Sequence, residues 1–116
     1  MNEITINVFN IVGNSLCVEA DDGNIVFENI SNALAAGKKV IISFQNVEML
    51  TSAFLNTAIG QLYRDFSEEE IREKVKVIQI SPTDAISLKK VVDTAKLYYK
   101  DPQRLEQSIA EIMEEN

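Results

Sequence analysis

The stretch "VIISFQNVEMLTSAFLNTAIGQL", Val40 to Leu62, joins an apolar run to a helical pattern through a short polar pair, Thr51-Ser52. The apolar run begins at Lys39 as "KVIISF". It is nearly continuous, which is typical of a strand that is covered on both faces in the middle of an α/β sheet. After the loop "QNVEMLT", apolar residues recur at helical spacing along one wide stripe. The stripe comprises Phe54, Leu55, Ala58, Ile59, Leu62, Tyr63 and Phe66.

Upstream of this unit, the segment Ile4 to Val12, "ITINVFNIV", begins with alternating apolar and polar residues. This period of two predicts a strand with one solvated face, which we expect over residues 4–11. The pair Gly13-Asn14 has turn chemistry. The next five residues, "SLCVE", are compatible with a second strand that pairs with the first as a hairpin, and equally with an irregular loop.

The segment "ADDGNIVFENISNALAAGKK" predicts the first long helix. Asp21 or Asp22 is expected to be its N-cap, because short acidic side chains suit both the exposed amides and the positive end of the helix dipole. Gly37 is expected to end the helix. The residues predicted to face the core are Val26, Phe27, Ile30, Ala33 and Leu34.

Two further units follow the central one. In "SEEEIREK", Ser67 with Glu70 three residues later is a capping box that opens a short helix, and "VKVIQI", residues 75–80, predicts another strand. Ser81 is then expected to cap a helix through Leu88, Val91, Val92, Ala95 and Tyr98. The pair Asp101-Pro102 repeats this device before a last helix, whose tail, residues 111–116, is expected to fray.

The order of these elements predicts an α/β fold with right-handed crossovers. We expect the strands near 4–11, 39–44 and 75–80 to form one central mixed or parallel sheet. Helices that start near 22, 52 and 82 are expected to pack against it. At 116 residues the chain has the size of one domain, so we predict a single domain over residues 1–116.

The composition excludes several classes of function. A formal net charge of −7 repels phosphate backbones, so no nucleic-acid partner is expected. No apolar run reaches the roughly 20 residues that a membrane-spanning helix needs, and the N-terminus has no signal-peptide layout. We therefore expect a cytoplasmic protein with no membrane association.

Residues that could carry catalysis are scarce. The chain has no His, which removes the commonest general base and metal ligand, and its one cysteine, Cys17, is expected to be a small buried residue in or beside a strand. None of its four glycines falls in a phosphate-binding motif. Glu19, Asp21 and Asp22 could collect a hard cation, but they also suit a helix start. We expect no catalytic residues, no metal and no cofactor.

Thr51-Ser52 is the strongest candidate for a functional site. A hydroxyl at an N-cap satisfies an exposed backbone amide, which alone explains the pair. A phosphate at the same place would meet exposed amides and the positive end of the helix. The local sequence is compatible with both interpretations.

The order of elements together with "VIISFQNVEMLTSAFLNTAIGQL" resembles the STAS domain of anti-sigma factor antagonists, and most closely the STAS-like family of bacterial proteins. The resemblance covers residues 38–99 well and the first 37 residues loosely. In the antagonists this helix begins with a motif similar to Asp-Ser-Ser-Gly-Leu, in which a partner kinase phosphorylates a serine. The register places Thr51 at the Asp, Ser52 at the first serine, Ala53 at the second serine and Phe54 at the glycine.

The resemblance implies a non-catalytic regulatory module that binds a protein partner, such as a histidine-kinase-like ATPase or an anti-sigma-type regulator. Ser52 and Thr51 are then the candidate phosphorylation sites, although Ala53 removes one family hydroxyl and Phe54 is expected to crowd a backbone approach that the family's glycine permits. The alternative is a sensor for a small ligand or nucleotide at the same loop. The resemblance leaves the oligomeric state open. The partner-binding residues that it implies are Glu48, Met49, Thr51, Ser52, Ala53, Asn56 and Thr57.

Overall fold

The protein is an α/β structure built on a parallel sheet, as seen in a computed structural model that describes residues 2–100. The main sheet has three strands in the order β1-β3-β5, with β1 at Glu3–Asn7, β3 at Lys39–Ser43 and β5 at Val75–Ile78. A second parallel pair consists of β2, Leu16–Cys17, and β4, Met49–Leu50. The predicted fold class is confirmed.

The helices form a layer on one face of the main sheet. The helical elements are α1 Val8–Val12, α2 Ala20–Ala35, α3 Ser52–Leu55, the π-helical segment Asn56–Gly60, α4 Leu62–Asp65, α5 Glu68–Lys74 and α6 Pro82–Lys100. Of these, α3, the π-helical segment and α4 follow one another as a nearly continuous rod that packs against α2 on one side and α6 on the other.

The run "KVIISF" is the middle strand, as predicted, but its two faces differ. Val40 and Ile42 point into the helix layer and are fully buried. Ile41 points to the opposite face and is half-buried, while its register partners Thr5 and Lys76 are exposed. The prediction of cover on both faces is therefore wrong for this part of the sheet within residues 2–100. Lateral contact between strands explains the apolar Ile41 without a second layer of helices.

The first strand ends at Asn7, so the predicted strand over residues 4–11 is wrong in its second half. The side chain of Asn7 accepts a hydrogen bond of 3.2 Å from the amide of Asn10 and thereby caps α1. The short helix ends at Gly13, which has a φ of 75° and donates its amide to the Phe9 carbonyl. A capping Asn and a left-handed Gly on either side of "VFNIV" thus override the apolar alternation.

Of the two alternatives for the segment "SLCVE", neither holds in full: Leu16–Cys17 is a strand, but it does not pair with β1 as a hairpin. It pairs in parallel with β4, which lies inside the segment that the sequence predicts as a loop. The amide of Glu48 donates to the carbonyl of Ser15 at 2.8 Å, and the amide of Thr51 donates to the carbonyl of Cys17 at 3.2 Å. This long-range pairing places the entry to α3 beside the entry to α2.

The start of α2 differs from the prediction in its cap. The N-cap is Glu19, whose side chain makes no capping hydrogen bond, and Asp21 and Asp22 lie inside the first turn. Their carboxylates are still stabilised by the positive end of the helix dipole. This preference explains why the predicted N-cap lies two or three residues after the observed one.

The end of α2 confirms the prediction for Gly37. Gly37 has a φ of 79°, and its amide donates to the Leu34 carbonyl at 2.9 Å. The amide of Lys38 donates to the Ala33 carbonyl at 3.0 Å, which completes a Schellman motif. All of the side chains predicted to form the inner face of α2 are buried: Val26, Phe27, Ile30, Ala33 and Leu34.

The caps of the last two described helices are confirmed. The hydroxyl of Ser67 accepts from the Glu70 amide at 3.1 Å, and that of Ser81 accepts from the Asp84 amide at 3.2 Å. The Glu70 carboxylate bonds Lys74 one turn later. The predicted helix after Asp101-Pro102 and the frayed tail, residues 111–116, lie outside the described residues.

Gly23 sets the separation between α2 and the rod of α3, the π-helical segment and α4. A Cβ atom at this position would lie 2.7 Å from the carbonyl oxygen of Phe54 and 3.1 Å from the Cβ of Thr57. Because the nearer of these atoms belongs to backbone, the two helices can approach this closely only without a side chain here. The contact fixes the position of α3 relative to α2.

Candidate protein-docking surface

Thr51 is the N-cap of α3, and its hydroxyl is fully engaged. Its backbone is extended, with a φ of −107° and a ψ of 157°. Thr51 Oγ1 accepts a hydrogen bond of 3.1 Å from the Phe54 amide and donates one of 2.8 Å to the Val18 carbonyl. The hydroxyl therefore caps the helix and also binds it to the segment after β2.

Ser52 differs from Thr51 in its access to solvent. It is the first residue of α3, its side chain is exposed, and the neighbouring Ala53 is exposed as well. Phe54 points inward and is fully buried. The expectation that Phe54 crowds a backbone approach to this helix start is therefore wrong for its ring, which belongs to the core. Of the two candidate hydroxyls, that of Ser52 faces outward and that of Thr51 supports the structure.

The other predicted partner-binding residues lie around this helix start. Glu48, Met49 and Asn56 are exposed, and Thr57 is half-buried. Thr57 Oγ1 donates to the carbonyl of Ala53 at 3.0 Å, so this hydroxyl is used inside the helical rod. The structure thus brings the predicted set together, with Thr51 and Thr57 as its supports. We define the docking surface as the exposed members and one added neighbour: Leu16, Glu48, Met49, Ser52, Ala53 and Asn56.

Leu16 is the member that the sequence did not reveal. It is the register partner of Met49 in the β2–β4 pair, so both side chains lie on the same face. Leu16 is 45% exposed and Met49 is 52% exposed. The next partners, Cys17 and Leu50, point inward and are buried and half-buried. Two large apolar side chains therefore stand side by side next to the start of α3.

Hydrogen bonds at both ends of the β2–β4 pair fix the positions of Leu16 and Met49. The hydroxyl of Ser15, just before β2, donates to Glu48 Oε2 at 3.0 Å. The bond joins the two short strands at the end opposite to Thr51. The apolar pair is consequently fixed between two hydrogen-bonded links rather than carried on a free loop.

A groove separates the docking surface from α6. Its volume is about 430 Å³. Ser52, Ala53 and Asn56 line one wall, and Lys90, Val91 and Thr94 line the other. Lys90 places a positive charge across the groove from Ser52. No local pattern could have predicted this, because the two residues come to line the same groove only through the packing of α6.

A second, polar cleft lies on the other side of Asn56, between α2 and the π-helical segment. Its volume is about 660 Å³. Asn56 begins the π-helical segment, a type of distortion often found at functional sites. Gly60 makes room for it, because a Cβ atom there would lie 2.8 Å from Asn56 Oδ1. The lining residues are Ala20, Asp21, Asn24, Asn56, Thr57 and Gln61.

Cys17 follows Leu16 in β2 and is buried, as expected. Its side chain has no exposed surface. Burial, followed by the nearby charge of Asp22, raises the pKa of the thiol to about 11. The thiol is therefore neutral at physiological pH. Because the nucleophilic form of cysteine is the thiolate, this side chain is unsuited to nucleophilic attack.

Within residues 2–100, no cluster of three or more His, Cys, Asp or Glu side chains is arranged to hold a metal ion. No helix in the same range is both long enough and apolar enough to cross a membrane.

Comparison with protein families places the chain in a family. The family model of the STAS-like domain of unknown function (DUF4325) matches residues 22–85. The match contains α2 from its third residue onward, the middle strand, the helix start at Thr51 and the first residues of α6. Comparison with curated proteins gave no match, and comparison with solved structures gave none either.

Proposed function

Because the chain belongs to the STAS-like domain family, we propose that it is a non-catalytic regulatory module that binds a protein partner through the docking surface. The observation that carries the proposal is the pair Leu16 and Met49, two exposed apolar side chains held side by side at the start of α3. Exposed apolar residues with a polar rim are typical of protein-binding sites.

The chemistry of the surface suits a protein better than a small molecule. Its centre is apolar and its rim carries Glu48, Ser52 and Asn56, so it offers separate places for hydrophobic contact and for hydrogen bonds. The frame beneath it is fixed by the two hydrogen bonds of the Thr51 hydroxyl. A rigid frame lowers the entropy that binding must offset.

The proposed regulation acts at Ser52. Its hydroxyl is exposed at the first residue of α3, beside Lys90 across the groove. A negatively charged group on Ser52 would be attracted by the positive end of the helix and by Lys90. It would therefore change the charge of the docking surface without unfolding the domain. A histidine-kinase-like ATPase or an anti-sigma-type regulator in the cytoplasm is the kind of partner that the family resemblance implies.

Site-specific photocrosslinking tests the proposal. A photoreactive residue is placed at Ala53 in the docking surface and, as a matched control, at the exposed position Asn29 on α2. We expect the Ala53 form to give a discrete crosslinked protein in native cytosol that the Asn29 form does not give. Equal products from both positions would contradict docking at this surface.

The polar cleft supports a second function, that of a small-ligand or nucleotide sensor. Its amide and carboxylate groups, with Asn56 at the start of the π-helical segment, could orient a polar molecule. A panel of nucleotides and polar metabolites, screened by thermal unfolding, tests it. A sensor requires a ligand that stabilises the wild type and fails to stabilise Gln61→Ala.

A further inference from the structure

The outward face of α6 carries apolar side chains that stay exposed within the part of the chain that the structure describes. Ile86 is 60% exposed and Leu97 is 57% exposed, the largest values among the large apolar residues of the described chain. The inward face of the same helix is occupied by Val91 and Ala95, which are buried. The two exposed residues therefore face away from the domain core.

Ile86 and Leu97 lie on one stripe of the helix together with two charged residues. At 3.6 residues per turn, Ile86, Lys90, Asp93 and Leu97 fall along a single side of the helix surface. Lys90 and Asp93 are both exposed and lie between the two apolar residues. The order along the stripe is thus apolar, positive, negative, apolar.

This order is self-complementary when two copies of the helix run antiparallel. In such a pair, a residue faces the residue of the second copy that lies equally far along the helix on the other side of the crossing point. With the centre between Val91 and Val92, Ile86 faces Leu97 of the second copy and Lys90 faces Asp93 of the second copy. A two-fold axis repeats each contact, as symmetric dimers require.

We propose that the protein forms a symmetric dimer through this stripe of α6, with a second copy of the chain as the occupant. The contact has two apolar pairs at its ends and two ion pairs at its centre. Because the chain carries a net charge of −7, two copies repel each other in general, and the lysines of this face supply the local attraction. Lys89 bonds Asp93 of its own helix at 2.9 Å, so in the dimer this carboxylate lies between Lys89 and the Lys90 of the second copy.

A second copy fits the stripe better than an unrelated partner does, because the charge order matches its own reverse. The stripe spans about 17 Å along the helix axis, which is short for a permanent interface, so the dimer is weak and concentration-dependent. It borders the groove beside Ser52 through Lys90. The dimer goes beyond the proposed function and is measured with the purified chain alone, so either proposal can fail without the other.

Charge reversal tests the dimer by sedimentation velocity over a concentration series. Lys90→Glu and Asp93→Lys should each weaken self-association about tenfold, since each turns two attractive pairs into two repulsive ones. A mixture of the two variants should associate again, because the new carboxylate at position 90 of one copy then faces the new ammonium group at position 93 of the other. Circular dichroism verifies that each variant is folded.

Apolar substitutions complete the test. Ile86→Lys should abolish the dimer, whereas Ile25→Lys, at a residue of α2 with 46% exposure, should leave it intact. The proposal is overturned if the wild type stays monomeric at every concentration, or if the mixed charge variants do not associate. It is also overturned if Ile86→Lys lowers the unfolding temperature with no change in mass, because the stripe would then be covered within one chain.

Discussion

The hydroxyl of Thr51 donates a hydrogen bond of 2.8 Å to the carbonyl oxygen of Val18, and this bond joins the start of α3 to the segment between β2 and α2. The same oxygen caps α3 by accepting from the Phe54 amide. One side chain thus fixes two segments that are far apart in sequence. The exposed Ser52 is presented on that frame.

The cap is tested by Thr51→Ala. The variant loses both hydrogen bonds of the hydroxyl, so we expect it to lower the free energy of unfolding by about 2 kcal/mol in urea denaturation. Thr51→Ser keeps the hydroxyl, so its free energy of unfolding should fall by less than half of the loss seen for Thr51→Ala. Ser52→Ala should stay within about 0.5 kcal/mol of the wild type, because its hydroxyl is not the cap. A larger loss for Ser52→Ala than for Thr51→Ala would refute the assignment.

A negative charge at Ser52 should be tolerated by the fold. We expect Ser52→Asp to keep the free energy of unfolding or raise it by about 0.3–1 kcal/mol, because the carboxylate lies at the positive end of the helix. Ser52→Asn is the neutral control, and high salt should remove the difference between the two variants. Destabilisation by Asp but not by Asn would show that this helix start does not favour an anion.

The close approach of α2 to α3 depends on Gly23. Gly23→Ala places a Cβ atom 2.7 Å from the backbone oxygen of Phe54, so we expect a loss of about 1–3 kcal/mol in the free energy of unfolding. Gly60→Ala is the matched control. There the Cβ atom meets the side-chain oxygen of Asn56, which can rotate away, so thermal unfolding should show a smaller effect. Similar losses at both positions would be incompatible with this packing.

The buried thiol of Cys17 should make stability fall at alkaline pH. Its pKa rises from 9.0 to about 11 on folding, so the folded state holds its proton while the unfolded state releases it. The resulting stabilisation is complete below pH 9 and is lost as pH rises toward about 11. Unfolding free energies across this range should decrease more steeply for the wild type than for Cys17→Ala. Parallel curves would mean that the thiol titrates equally in both states.

The sequence predicted those parts of the fold that depend on local chemistry. Hydroxyl caps at Ser67 and Ser81, the left-handed Gly37 and the continuous apolar run of β3 were all found, because each signal lies within a few residues. The strand after Ile4 was extended too far because its apolar alternation continues into α1. The strand ends because Asn7 caps α1. In the sequence, the capping signal of Asn7 and the apolar alternation around it predict different structures for the same residues.

The candidate site was predicted in part for the same reason. Residues around Thr51 were placed together correctly, since they are neighbours in the chain. Leu16 and Lys90 were missed, because the pairing of β2 with β4 and the packing of α6 are long-range. The sequence could not decide which of the two hydroxyls is the cap, because both Thr and Ser are preferred at an N-cap. The structure identifies Thr51.

Docking through Leu16 and Met49 is tested most directly by comparing the proteins captured from native cytosol by four forms of the full chain. These are the wild type, Met49→Asp, Ser52→Asp and the exposed control Ile25→Asp. The account predicts that the wild type and Ile25→Asp capture the same partner in equal amounts, that Met49→Asp loses it and that Ser52→Asp captures a changed amount. Capture of that partner in equal amounts by all four forms would contradict the account.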